Sequence, residues 1–269
     1  MTALAFQHGT HTLYSGACDR TVKLWNMTEQ AYLDTVYGHQ APVHSIDALS
    51  RERCLTSGAD RSVRLWKIVE DSQLVFNGHA GNIDCVSMLN EESFLSGGED
   101  GEVCLWSTTK KKPVASAAHA LEPIAEGAHQ CRDWVSAVAC CRYSDLACSG
   151  AADGTVRLWR ADNALTAVGT VPMDGHVNGL ALSADGAVLV AGTGQEHRLG
   201  RWSRVAGASR AAVAVLAPPA RAIPNHTSLA GAKNAVHVVR IGSGEVDESE
   251  EEEDDDSDDY ADDSLSEVT

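Results

Sequence analysis

No run of eighteen apolar residues, the length that crosses a bilayer as a helix, occurs anywhere in this chain. The first residues lack the basic start and continuous apolar stretch of a secretory signal. Eight cysteines, Cys18, Cys54, Cys85, Cys104, Cys131, Cys140, Cys141 and Cys148, contain no Cys-x-x-Cys pair, and most fall inside strand-like segments. They read as buried thiols of a reducing compartment rather than zinc ligands or disulfides, which points to the cytosol or nucleus and to no membrane partner. The triplets Asn26-Met27-Thr28 and Asn225-His226-Thr227 are then chance matches to a glycosylation signal. Helical periodicity is also missing, because Gly, Asp and Ser interrupt the chain too often for apolar residues to recur at three- and four-residue spacing over several turns. Catalytic constellations are lacking as well: no nucleophile stands beside a paired base, and Gly192-Thr193-Gly194 is too short to cradle a phosphate. The reading is an all-β protein with no enzymatic activity, no cofactor and no metal.

What the chain does contain is a repeat. Asp19-Arg20-Thr21-Val22-Lys23-Leu24-Trp25 recurs as Asp60-Arg61-Ser62-Val63-Arg64-Leu65-Trp66, Asp100-Gly101-Glu102-Val103-Cys104-Leu105-Trp106 and Asp153-Gly154-Thr155-Val156-Arg157-Leu158-Trp159. The Trp positions step by 41, 40 and 53 residues, and Trp202 stands a further 43 on. Periods of about 40 to 45 residues belong to propeller blades, each a small sheet of four strands. Thr21-Val22-Lys23-Leu24-Trp25 alternates polar and apolar residues, as a half-buried antiparallel strand does.

The repeat has further fixed points. Gly38-His39 and Gly78-His79 each place a His 21 residues before its Asp, and Gly175-His176 opens a weaker copy that ends at Trp202. Before each Asp a strand closes on Ser-Gly, at Ser15, Ser57, Ser96 and Ser149. In three copies the Ser precedes the Asp by four residues, whereas Ser57 precedes Asp60 by three, so Thr56 is a second candidate for that hydroxyl. This is the WD-repeat pattern. Asp tolerates a tight turn while accepting backbone hydrogen bonds, and a buried His, Ser and Trp can join it in one network that leaves no interior polar group unpaired. His39, His79 and His176 are therefore read as structural, and Trp25, Trp66, Trp106 and Trp159 as core fillers.

Residues 1 to about 242 hold roughly five blades and begin within one, since no Gly-His precedes Leu13-Tyr14-Ser15-Gly16. Rings of this kind usually have seven blades and close to hide their strand edges, so about two blades are expected to be missing at the amino end, as in a truncated gene model or a fragment, the alternative being a distorted ring of five blades. Residues 203–232, rich in Ala and Pro, read as a loop inserted before an outermost strand at about Ala235 to Ile241. Of 38 acidic residues, 15 lie in residues 245–269, which carry no Lys or Arg; the first 244 residues are left with 23 acids against 21 bases. The tail, 243–269, repels itself and has little to bury, so it is expected to be disordered and to attract basic proteins.

One block departs from the repeat: Ala191-Gly192-Thr193-Gly194-Gln195-Glu196-His197-Arg198-Leu199-Gly200-Arg201-Trp202. Together with Asp71 to His79, Asn82 to Cys85 and Leu105 to Pro113 it resembles the WD-repeat subunit of the U3 small nucleolar ribonucleoprotein, the U3 snoRNA-interacting protein family. The resemblance runs over residues 1 to about 204 and returns at Lys233 to Arg240. It implies a non-catalytic, nucleolar component of the machinery that processes the ribosomal RNA precursor towards the small subunit. It also implies partners: the box B/C region of U3 RNA, a small kink-turn-binding protein and other processome proteins. Members of the family carry a basic amino-terminal extension ahead of a seven-blade ring.

The residues themselves offer two candidate RNA contacts. Gln195, His197, Arg198, Arg201 and Arg204 cluster in the aberrant block, and Lys110, Lys111 and Lys112 form a basic turn after the third repeat Trp. Arg presents a planar fork to phosphate and a stacking surface to unpaired bases. The competing account has Gln195 to Arg201 filling a tight interstrand turn. Two rival functions use the same ring: a substrate receptor of a ubiquitin ligase and a histone-chaperone-like scaffold. The first of these often shows Trp-Asp-x-Arg, whereas here the Trp residues are followed by Asn26, Lys67, Ser107, Arg160 and Ser203.

Overall fold

The two-residue alternation of the repeat dictates strands, and strands are what form. The computed structural model describes residues 1–119, 134–198, 200–204, 211–216 and 235–239, and every helix or strand among them is a strand. Four sheets are antiparallel meanders: β1 (Ala3–Phe6) to β4 (Ala31–Tyr37) through β2 (Thr12–Gly16) and β3 (Thr21–Asn26); β5 (Val43–Ala48) to β8 (Ser72–Asn77) through β6 (Arg53–Gly58) and β7 (Ser62–Lys67); β9 (Ile83–Met88) to β12 (Ala115–Ala118) through β10 (Ser93–Gly98) and β11 (Glu102–Ser107); and β13 (Val135–Cys140) to β16 (Leu165–Pro172) through β14 (Leu146–Ala151) and β15 (Thr155–Ala161). In each, neighbouring strands in sequence are neighbours in the sheet. The first strands pack side by side, β1 on β5, β5 on β9, and β9 on β13, so the sheets stand as blades around a common inner rim.

The fifth blade is irregular. It begins with β17 (His176–Leu182), which packs on β13, and β18 (Leu189–Gly194). A separate hairpin, β19 (Glu196–His197) with β20 (Gly200–Arg204), follows, and only then come β21 (Ala211–Leu216) and β22 (Ala235–Val239). β21 takes the third place beside β18, and β22 runs parallel to it rather than antiparallel. This corrects two expectations. Trp202 does not occupy the third strand of a blade but lies on the hairpin, and β21 falls inside the stretch read as an inserted loop. Residues Ala211-Ala212-Val213-Ala214-Val215-Leu216 form a short continuous apolar run without any Trp, so the nearest Trp pointed to the wrong segment.

Four apolar cores fill the spaces between successive blades. Tyr14, Val22, Leu24, Val43 and Trp66 form the first, and Phe76, Phe94 and Trp106 dominate the second. Trp159 closes the third against Leu95 and Val103, while Leu158, Val177 and Leu189 lie in the fourth. Trp66, Trp106 and Trp159 thus each pack against the blade before their own. Trp66, Trp106 and Trp159 are buried, whereas Trp25, in the first blade, is only partly covered. Six of the cysteines, Cys54, Cys85, Cys104, Cys140, Cys141 and Cys148, lie in these buried layers, Cys18 is exposed, and Cys131 lies outside the described residues. Burial raises the Cys148 thiol to about 12.

The blades approach so closely at one strand position that three of the four regular copies hold glycine there. A Cβ on Gly97 would sit 2.5 Å from Val135 Cγ1, and one on Gly150 would sit 2.3 Å from Val177 Cγ1. Register places Gly16, Ser57, Gly97 and Gly150 at this same position, opposite Val22, Val63, Val103 and Val156. Ser57 therefore occupies the glycine slot of its blade, not the hydroxyl slot.

Candidate nucleic-acid interface

Each Asp turn is followed by a residue in the left-handed region, Arg20 (φ 71), Arg61 (φ 61), Gly101 (φ 76) and Gly154 (φ 79), which brings the Asp side chain back over the next strand. In the second blade Asp60 accepts hydrogen bonds from His39 Nδ1 (2.9 Å), the Gln40 amide (2.9 Å) and Ser62 Oγ (2.7 Å). Burial alone would raise the Asp60 carboxyl, but these bonds, His39 foremost, overcome it and hold it below the usual carboxylate range. With the His39 Nδ1 hydrogen committed to Asp60, Nε2 accepts from Thr56 Oγ1 at 2.7 Å, and that oxygen accepts the Trp66 indole N–H at 2.8 Å. The third blade repeats the arrangement through His79, Asp100, Ser96 and Trp106. Ser57, expected in this network, is corrected: its Oγ is buried with no hydrogen-bond partner, and Thr56 carries the role.

The fourth blade uses a histidine that the repeat spacing did not disclose. His119 is fully buried, with Nδ1 2.8 Å from Ser149 Oγ and Nε2 3.0 Å from Thr155 Oγ1, whose hydroxyl bridges to Asp153 at 2.8 Å. Ser149 also accepts the Trp159 indole N–H at 2.7 Å. In the first blade Asp19 caps Thr21, and Ser15 accepts from Trp25. In the fifth, His176 reaches no hydroxyl or carboxylate among the described residues. At the place of the Asp, 21 residues on, stands His197, whose ring lies 6.2 Å from that of His176 at 83°. Burial holds His176 below the ordinary histidine value.

That substitution frees the segment after β18 to fold as the β19–β20 hairpin. Asn178 brackets its turn, donating to the Glu196 carbonyl (2.8 Å) and accepting from the Arg198 amide (2.8 Å). His197 is buried and stacks on Trp134 at 4.1 Å and 24°; burial is the main cause that lowers its pKa to about 4, so it is neutral near pH 7. The Arg198 guanidinium donates to the main-chain carbonyl of Asp84 in the third blade, yet the residue as a whole stays exposed. The Asp84 carboxylate, wholly buried, accepts from His44 Nδ1 at 2.7 Å and from the Trp134 indole N–H. His44, Asp84 and Asn178 sit at equivalent bulges near the starts of β5, β9 and β17, so the hairpin tip rests on the inner rim, on the face where those strands begin.

The two basic candidates do not meet. β11 runs antiparallel to β10, which runs antiparallel to β9, so the exposed turn Lys110 to Lys112 after β11 lies at the end of the blade opposite Asp84. Gln195, His197 and Arg198 lie at or beside the hairpin turn, His197 buried and Arg198 exposed, and Arg201 and Arg204 lie on β20, whose side chains are outside the described residues, as is the acidic tail. Sequence reasoning missed His44, Asp84, Trp134 and Asn178. Trp134 alone left a signal, as the one Trp that fits no blade period.

Residues 1–26, 30–67, 70–107 and 122–160 match the family WD domain, G-beta repeat. The chain belongs to the WD-repeat family. Among WD-repeat relatives it is 42% identical over 211 residues to the U3 snoRNP-associated protein-like EMB2271 of Arabidopsis thaliana, covering 75% of this chain and 44% of that one. It is 45% identical over 191 residues to the U3 small nucleolar RNA-interacting protein 2 of Homo sapiens, covering 70% of this chain and 31% of the relative. The chain thus spans less than half the length of either relative. A solved structure of U3-55K superposes with a TM-score of 0.74 at 46% identity, over 79% of this chain and 66% of the other. The WD40 repeats of RRP9 give the same TM-score and identity.

Proposed function

We propose that this chain is a non-catalytic, U3 RNA-binding component of the small nucleolar ribonucleoprotein, acting in the nucleolus on the ribosomal RNA precursor for the small subunit. The observation that carries this reading is the likeness to U3-55K, 46% identical and of the same fold, combined with the hairpin that sets this chain's fifth blade apart from its other four. On this reading the hairpin face contacts the RNA. Arg198, exposed as a residue and with its guanidinium partly committed to the Asp84 carbonyl, stands there, and half-buried Gln195 precedes the hairpin. His197 supports the contact from beneath rather than touching a phosphate, since it is neutral and buried against Trp134. The box B/C region of U3 RNA, together with a kink-turn-binding protein, is the proposed partner, and basic proteins are proposed to gather at the acidic tail. Crosslinking in cells followed by sequencing of the attached RNA tests this. Enrichment of U3 RNA supports it; histones or ligase subunits recovered without U3 RNA refute it.

A further inference from the structure

The hairpin is held by residues from three blades, and one of them organises the rest. Asp84 is inaccessible to solvent, and its carboxylate is used on both sides, by His44 of the second blade and by the Trp134 indole of the fourth. Fixing the indole nitrogen fixes the plane of the Trp134 ring, and that plane is the platform on which His197 stacks. The carbonyl of the same residue receives Arg198. Asn178 closes the turn from the fifth blade. A two-residue strand paired with a neighbour across a short turn has little stability of its own, so its orientation must come from outside it.

From these contacts we infer that Asp84 is the positioning residue of the hairpin: through Trp134 and through its own carbonyl it orients His197 and Arg198, and thereby presents the RNA-contacting edge. The inference rests on the reading of the hairpin as the RNA face, and the two are separable. Asp84→Leu keeps a branched side chain of similar shape but accepts from neither His44 nor Trp134. Trp134→Phe keeps a ring for stacking but removes the donor.

The test measures amide hydrogen exchange across residues 194–204 of the full chain, and in parallel the affinity for a U3 RNA fragment carrying the box B/C region. Each single variant is expected to speed exchange in the hairpin about tenfold while β10 and β11 keep their protection, as local opening requires. The double variant should loosen the hairpin no more than Asp84→Leu alone, because both changes remove the bond that holds the Trp134 ring. A purely structural Asp84 would loosen β9 to β11 together with the hairpin, and additive effects would mean separate roles; either result overturns the inference. Unchanged hairpin exchange in both variants overturns it as well. If exchange rises as expected while RNA affinity is unaltered, the positioning role stands and the RNA reading of the hairpin falls.

Discussion

The imidazole of His119 reaches Ser149 Oγ at 2.8 Å across 30 residues of chain, where the equivalent His–hydroxyl contacts of the two preceding blades span 17. The extra 13 residues lie between the two partners, and they account for the Trp step of 53 where 40 was the rule. Burial keeps His119 neutral by lowering its pKa, and His197 is held down to about 4 in the same way. Both histidines therefore have folded values below the ordinary 6.5, and the unfolded chain binds more protons between these limits. Their contribution is complete above pH 6.5 and is lost progressively as pH falls towards 4. The thermal midpoint should drop over that window, and His119→Gln should flatten the drop. A midpoint that is constant from pH 7 to 4.5 would contradict it.

Thr56 and Ser57 are adjacent, both buried, and opposite in consequence. Removing the Thr56 hydroxyl by Thr56→Val leaves His39 Nε2 and the Trp66 indole N–H unpaired in the interior, at a cost of about 1–3 kcal/mol for each group left unsatisfied. Ser57→Ala removes an oxygen that has no partner and should change stability by less than about 0.5 kcal/mol, or raise it. Denaturant titration of the two variants decides the matter, and equal losses would return Ser57 to the network.

Glycine matters here by position rather than by count. Gly150→Ala would drive a methyl group to 2.3 Å from Val177 Cγ1 and force two blades apart, a strain of about 1–3 kcal/mol. Gly179, in the next blade, has nothing within 4 Å of the same added atom. Gly179→Ala should be tolerated, and the difference between the two midpoints measures how rigidly the blades are seated.

The features legible in the sequence were those that are local. Asp60, the preceding hydroxyl and Trp66 lie within one hairpin, so their spacing survives as a motif. The third strand of the fifth blade was not legible because Ala211 to Leu216 carries no Trp, while Trp202 on the hairpin imitates one. The hairpin clamp was less legible still: His44, Asp84, Trp134, Asn178 and Arg198 come from successive blades and meet only at the inner rim. Arg198 was recognised as unusual by its neighbours in the chain, and the structure adds that its guanidinium is partly committed to Asp84.

Arg198 and Lys110 to Lys112 make opposite predictions for RNA affinity because they lie on opposite faces. Replacing Arg198 with Ala should weaken binding of the U3 fragment and lower the salt slope by about one counterion, the mark of a lost phosphate contact. Replacing all three lysines with Ala should leave the slope at the hairpin face unaltered, since a basic turn at the far end of β11 cannot share a short RNA segment with the inner rim. Affinity measured from low to physiological salt distinguishes the cases. A lysine variant that loses as much slope as the arginine variant would place the RNA across the opposite face, and the hairpin would then serve only to seal the fifth blade.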